Sequence, residues 1–153
     1  MTAEGHCLQL VRDGDKDRFL SSLFAPDDKR PHLLALYACN LELARIAGQV
    51  SEAHIGLIRL QWWHDTIDAI YGGHPAGHTV AEALAGAIAA ASLPKNALHD
   101  LVSAREGELY GEPFAGIEEL EAYLGGTSSA LIQLAAMILV GPEALRTAEA
   151  AGL

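Results

Sequence analysis

Residues 32–71 collect most of the side chains able to do chemistry: Tyr37, Asn40, Glu42, Arg45, Arg59, Gln61, Trp62, Trp63, His64, Asp65 and Asp68. On a helix, Gln61, Asp65 and Asp68 share one face. Two carboxylates three residues apart can hold a hard cation such as Mg2+, which takes oxygen ligands and bridges to phosphate. The plainer reading of Asp65 and Asp68 is a solvated helix face. Arg45 and Arg59 flank a helix junction near residues 49–52, where they can meet an anion, diphosphate being the natural one in an apolar bundle, or else pair with Glu42 and Glu52. Adjacent indoles at Trp62 and Trp63 point about 100° apart on a helix, so one can enter the core while the other faces a groove or a partner. The simpler alternative has both packing internally.

Helices must position these groups. Half of the 153 residues are hydrophobic and 20% are charged, which excludes disorder and suffices for one core, since a domain of this size buries roughly 70% of its unfolded surface. Alanine is abundant and β-branched alternation is missing, so the fold class is all-α, a helical bundle with no strand. A first helix over residues 2–11 stops at Asp13-Gly14. A second, capped by Asp15 and ended by Pro26, brings Phe19, Leu20, Leu23 and Phe24 to the core. The third buries Leu33, Leu36, Tyr37, Leu41 and Ala44 as one stripe, and Gly48 marks its weak end. Ser51 is the N-cap candidate for the fourth, whose apolar face is Leu60, Trp63, Ile67, Ile70 and Tyr71. Residues 71–78 form a linker. An Ala-rich helix runs from Thr79 to Leu93-Pro94, another spans 95–110, and a long one spans 117–140 with Gly125-Gly126 as a soft point. Pro142 opens a last short helix. Residues 130–140 are apolar almost all round yet too few to cross a bilayer, which predicts deep burial, self-association or a covering domain.

The net charge of −10 speaks against nucleic-acid binding, and no basic membrane-surface helix is present. The N-terminus mixes acids with bases and has no long apolar run, so neither a signal peptide nor a transmembrane segment is expected, and the default location is cytoplasmic. Cys7 and Cys39 are isolated thiols suited to a reducing compartment. The seven histidines lack zinc-site spacing; His74 and His78 span a Pro and a Gly, not a helical turn. Glu106, Glu108 and Glu112 read as surface acids. There is no phosphate-cradling glycine loop and no nucleophile elbow.

The run DRFLSSLFAPDDKRPHLLALYACNLELARIAGQVSE, then IGLIRLQWWHD, SAREGELYGEPF and LEAYLGGTSSALIQLAA, resembles the squalene and phytoene synthase family, most of all the branch that includes respiratory complex I assembly factors and their bacterial relatives. That resemblance implies a partial terpenoid-synthase (isoprenoid synthase) bundle, with residues 1–153 forming a single helical domain equivalent to the N-terminal half of the fold. Active members condense two prenyl diphosphates head to head, with Mg2+ held by two Asp-rich motifs. Their third-helix pattern is Tyr-x-x-x-Arg-x-x-Asp-x-x-x-Asp. Anchored on Tyr37, it meets Leu41, Ala44 and Gly48 where the Arg and both Asp belong. The second motif is expected beyond Leu153. The implied function is therefore a non-catalytic binding or assembly-factor-like scaffold, with a protein partner or a second copy of itself. The alternative is an active farnesyl or geranylgeranyl diphosphate transferase with Mg2+ on Asp65 and Asp68, and a third reading is a module that binds a lipid or prenyl diphosphate without reacting. Tyr37, Arg45, Arg59, Gln61 and Trp62 are the candidate ligand contacts, and no catalytic residue is assigned.

Overall fold

A computed structural model describes residues 1–75 and 77–143, and among them every regular element is helical. The short helix expected from Pro142 falls almost wholly outside the described residues.

Helix α1 (Ala3–Gly14) starts where the Thr2 hydroxyl accepts the Gly5 amide, and it continues through the Asp13-Gly14 pair expected to stop it. Asp15 ends it and caps α2 (Lys16–Ser22), accepting the Arg18 amide at 3.1 Å. Arg30 then reaches back to the carbonyls that α2 leaves open, donating to Ala25 O at 2.9 Å and to Leu23 O and Ser22 O at 3.3 Å. The turn so formed leaves Leu20, Leu23 and Phe24 outside, Phe24 at 92% exposure. The core role expected of all four apolar residues thus falls to Phe19 alone.

Helix α3 (Arg30–Gln49) carries Pro31 in its first turn, where a missing N–H costs nothing. It buries Leu33, Leu34, Ala35, Leu36, Ala38, Cys39, Asn40, Leu43 and Ile46. That is wider than one stripe, because α1 and α2 lie against it together with α4 (Ala53–Tyr71), α5 (Thr79–Ala91) and α8 (Ala130–Val140). In α4, Leu60, Trp63, Ile67 and Ile70 face inward as expected, whereas Tyr71 lies at the rim with its hydroxyl donating to Leu93 O. Glu52, not Ser51, occupies the α4 N-cap.

The helix expected over 95–110 is two pieces, α6 (Lys95–Ser103) and a 3-10 turn, Glu106–Tyr110. The break lets Arg105 turn inward, donating to Asn40 Oδ1 at 3.0 Å and to Glu108 Oε1 at 2.7 Å, while the Tyr123 hydroxyl donates to that carboxylate at 2.6 Å. Glu108 is therefore a mostly covered network member, not the surface acid expected. Helix α7 (Ile117–Leu124) passes through a π turn, Gly125–Ser129, into α8, so the soft point is a wider turn within one continuous helix. This 24-residue run is long and apolar enough to cross a membrane by length and composition, a test that a core helix also meets. Its α8 portion buries Leu131, Leu134, Ala135, Met137 and Ile138 against α3, α5 and α6. Ile132, Leu139 and Val140 point away.

Helices α4 and α6 are joined by a chain of side chains. His64 Nε2 lies 3.3 Å from Ser103 Oγ, His64 Nδ1 lies 2.6 Å from His99 Nδ1, and His99 Nε2 lies 2.9 Å from Asp68 Oδ1, which also takes Lys95 Nζ at 2.7 Å. One proton arrangement satisfies every link. Ser103 donates to His64, His64 Nδ1–H to His99, and His99 Nε2–H to Asp68, with both rings neutral. Burial and the neighbouring His99 hold the His64 pKa below its ordinary value, and hydrogen bonds from Lys95 and His99 hold Asp68 down.

Because neutral His64 is favoured in the fold, the unfolded chain takes up its proton first, near pH 6.5, so the His64 contribution to stability falls as pH drops from about 7 to 5, opposed by Glu42, whose pKa burial raises in the fold. The Asp68 contribution follows only below about pH 4. Thermal melts at both ends of this range should show His64→Gln losing less Tm on acidification than the parent protein, and an equal change in the two would refute the assignment. A second test uses two helical glycines. A Cβ on Gly56 would sit 2.9 Å from Leu109 Cδ1 and 3.1 Å from its Cγ, whereas one on Gly48 meets nothing within 4 Å. Gly48→Ala should stabilise by about 0.5–1 kcal/mol through helix propensity. Gly56→Ala should lose about 1 kcal/mol net, since overpacking of about 1–3 kcal/mol exceeds that gain; denaturant titration measures both.

Candidate functional site

On α3, Glu42, Arg45, Ile46 and Gln49 follow one another at intervals of three, one and three, which puts them on one stripe of the helix. On α4, Arg59, Trp62 and Trp63 do the same. Where the two stripes face each other they line a groove of about 400 Å³, closed by Leu10 of α1 and by His78 at the start of α5. Arg45, Arg59 and Trp62, three of the candidate ligand contacts, meet here.

The aromatic wall is a cluster of three rings. Trp62 and Trp63 meet edge to face with centroids 5.1 Å apart, and His78 stands against both, at 5.1 and 5.7 Å. His78 also caps α5: its Nδ1 accepts the Ala81 amide, which leaves the proton on Nε2, 3.7 Å from Glu42 Oε2. Burial raises the Glu42 pKa, and His78, His6 and Arg45 only partly offset that. Among the described residues neither arginine forms an ion pair with a carboxylate. Arg59 donates to the Gln49 side chain at 3.1 Å, Glu52 is taken by His54 at 3.2 Å, and Arg45 lies within the field of Glu42 without forming an ion pair. Two guanidinium groups thus keep donors free beside an apolar floor. The groove can bind an anionic group attached to an apolar or aromatic body.

The other candidate residues lie elsewhere. Tyr37 packs beneath the Arg18 guanidinium, 5.7 Å from its ring centroid, and burial raises its phenol pKa despite that charge. Gln61 donates to Asp65 at 2.9 Å, and Asp68 is engaged by Lys95 and His99. At 100° per residue the row of Gln61, Asp65 and Asp68 is centred roughly 150° around α4 from the Arg59-Trp62-Trp63 edge. Among the described residues no three His, Cys, Asp or Glu side chains are grouped to hold a metal ion. A carboxylate already holding an ammonium and an imidazole does not fit the oxygen-ligated Mg2+ that the family uses.

Trp62 or Trp63 is the wall expected from the sequence, and both line the groove; Leu10, Ile46, Gln49 and His78 are not foreseen there. Gln49 was within reach of it, being one turn beyond Arg45 on the same stripe. His78 carried no spacing signal, because a loop delivers it. Neither cysteine lines the groove. Cys7 and Cys39 are both free and buried, and burial reinforced by Glu42 pushes the Cys7 thiol up to about 11 and Cys39 higher still.

Residues 11–153 match the family described as squalene/phytoene synthase. Among curated proteins, the chain is 40% identical over 134 residues to the NADH dehydrogenase (ubiquinone) complex I assembly factor 6 of Bos taurus, covering 88% of this chain and 40% of that protein. The Homo sapiens protein of the same name is 39% identical over the same shares, and the Drosophila melanogaster homolog is 33% identical over 84% of this chain and 40% of its own length. The chain thus spans about 40% of the length of these relatives. With all-helical architecture, the third-helix segment and a match over nearly its whole length, the chain belongs to the squalene/phytoene synthase family.

Proposed function

We propose that this chain is a non-catalytic scaffold module, one helical domain equivalent to the N-terminal half of its family's fold, which acts by holding a protein partner. Its relatives are named as assembly factors of respiratory complex I, and assembly by protein contact is the activity we carry over to it. The observation that carries this reading is on α3. The three positions where active members place an arginine and two aspartates are filled by Leu41, Ala44 and Gly48, and none of them can grip a metal or a diphosphate.

The chemistry of the alternative makes plain what is missing. For a prenyl diphosphate to ionise, the leaving group's charge must be neutralised by cations fixed beside it. The acids on α4 are turned away from the groove, and Asp68 serves as the hydrogen-bond acceptor that ties α4 to α6. The groove's arginines can attract an anion, but attraction without a metal clamp to neutralise the departing diphosphate binds and does not cleave. A scaffold needs no more than that.

The test is to incubate the protein with farnesyl or geranylgeranyl diphosphate and Mg2+ and to follow diphosphate release. No turnover above the uncatalysed rate is expected. Release that Asp65→Ala abolishes would overturn the scaffold reading and restore the transferase.

A further inference from the structure

Helix α4 carries an apolar edge that nothing in the structure covers. Ile55, Ile58 and Trp62 are 37%, 66% and 40% exposed, and their spacing of three and then four residues lines them up along the helix. Trp62 is shared with the groove, so the edge and the groove form one continuous surface.

The charges beside that surface are ordered. On one flank lie Arg59 and, across the groove, Arg45, neither of which forms an ion pair with a carboxylate among the described residues. On the other flank is Asp65, which accepts from the neutral amide of Gln61 and forms no ion pair among the described residues. A protein with a net charge of −10 has here kept two cations unpaired by carboxylates next to exposed isoleucines. An exposed ion pair would gain either arginine little. These two instead present free donors to whatever lies in the groove.

From this charge complementarity we infer that the α4 edge and its groove form a docking site for an amphipathic helix of a partner protein, one with apolar anchors at helical spacing and carboxylates along one flank. The anchors would lie on Ile55, Ile58 and Trp62, one of them entering the groove against Trp62 and Trp63, and the carboxylates would meet Arg59 and Arg45. Asp65 fixes the direction of the match by repelling an acid on the opposite flank. This is the helix-in-groove mode of recognition. It rests on the scaffold reading, for which it names the surface and the chemistry of the partner.

Trp62 and Trp63 are the protein's two tryptophans, so intrinsic fluorescence reports on this site alone. The probe is a tryptophan-free amphipathic peptide of roughly four helical turns, with leucines at i, i+3 and i+7 and glutamates on one flank. Its controls are the same peptide with lysine for glutamate and with serine for leucine. The glutamate peptide should shift the emission saturably and the controls should not. Arg59→Glu should weaken the glutamate peptide roughly tenfold and strengthen the lysine peptide, while Ile58→Ser should weaken both. Circular dichroism of each variant verifies that it is folded. Equal binding of acidic and basic peptides, or binding unchanged in Arg59→Glu, would overturn the proposal, as would no binding at all. Saturable binding of prenyl diphosphate in competition with the peptide would instead assign the groove to a small ligand. Diphosphate turnover, measured separately, bears on the scaffold reading and not on this one.

Discussion

Helix α3 is enclosed by α1, α2, α4, α5 and α8, and that enclosure decides what each of its residues is able to do. A helix covered on so many sides has few positions where a polar side chain reaches water, and a polar side chain elsewhere must be bonded. Asn40 meets this requirement by accepting from Arg105, at the cost of bending the chain out of α6. Glu42 and Arg45 meet it by standing at the one edge where α3 parts from α4, and the groove is that parting. Leu41, Ala44 and Gly48 need no such arrangement. The helix that carries acids in the family's catalysts is here free to pack.

The elements most plainly written in the sequence are those with a single dominant periodicity. The inward face of α4 could be read from Leu60, Trp63, Ile67 and Ile70 because a half-covered helix separates apolar from polar by angle. The same reasoning failed at Leu23 and Phe24, which have the right spacing but follow a helix end whose open carbonyls are taken by Arg30, beyond the Pro26 turn. It failed again at 104–105, where good helical residues are broken by the pull of Asn40 and Glu108. At 105 the decisive contact, Asn40, lies 65 residues away, beyond any window of neighbours; at Leu23 and Phe24 the contact is near in sequence but is not the i to i+4 pairing that helix propensity describes.

The site was legible in part for a related reason. Arg45, Arg59 and Trp62 lie near the α3–α4 junction and have to converge if the two helices fold back on each other. Gln61 is next to Trp62 in sequence but turns to the α6 side, because one residue is 100° of rotation. Proximity in the chain grouped it with the wrong neighbours. His78 is the reverse case, far in sequence and central in space, and its double task of capping α5 and completing the indole cluster becomes visible only once α5 has been placed.

The wider turn at Gly125–Ser129 has an effect that extends along the whole length from Ile117 to Val140. Four of the exposed apolar residues of that helix, Ile117, Leu124, Ile132 and Leu139, are spaced seven, eight and seven apart, with Val140 beside the last. In a regular helix the step of eight would throw the last two round by about 100° relative to a step of seven. A π turn accommodates one additional residue and takes that rotation back, so the four side chains stay on one seam. Removing a single residue from 125–129 would shorten the step of eight to seven and let a regular helix hold the same seam, whereas regularising the turn with its residues kept would swing the second half round by about 100°, taking Ile132 and Leu139 off the seam.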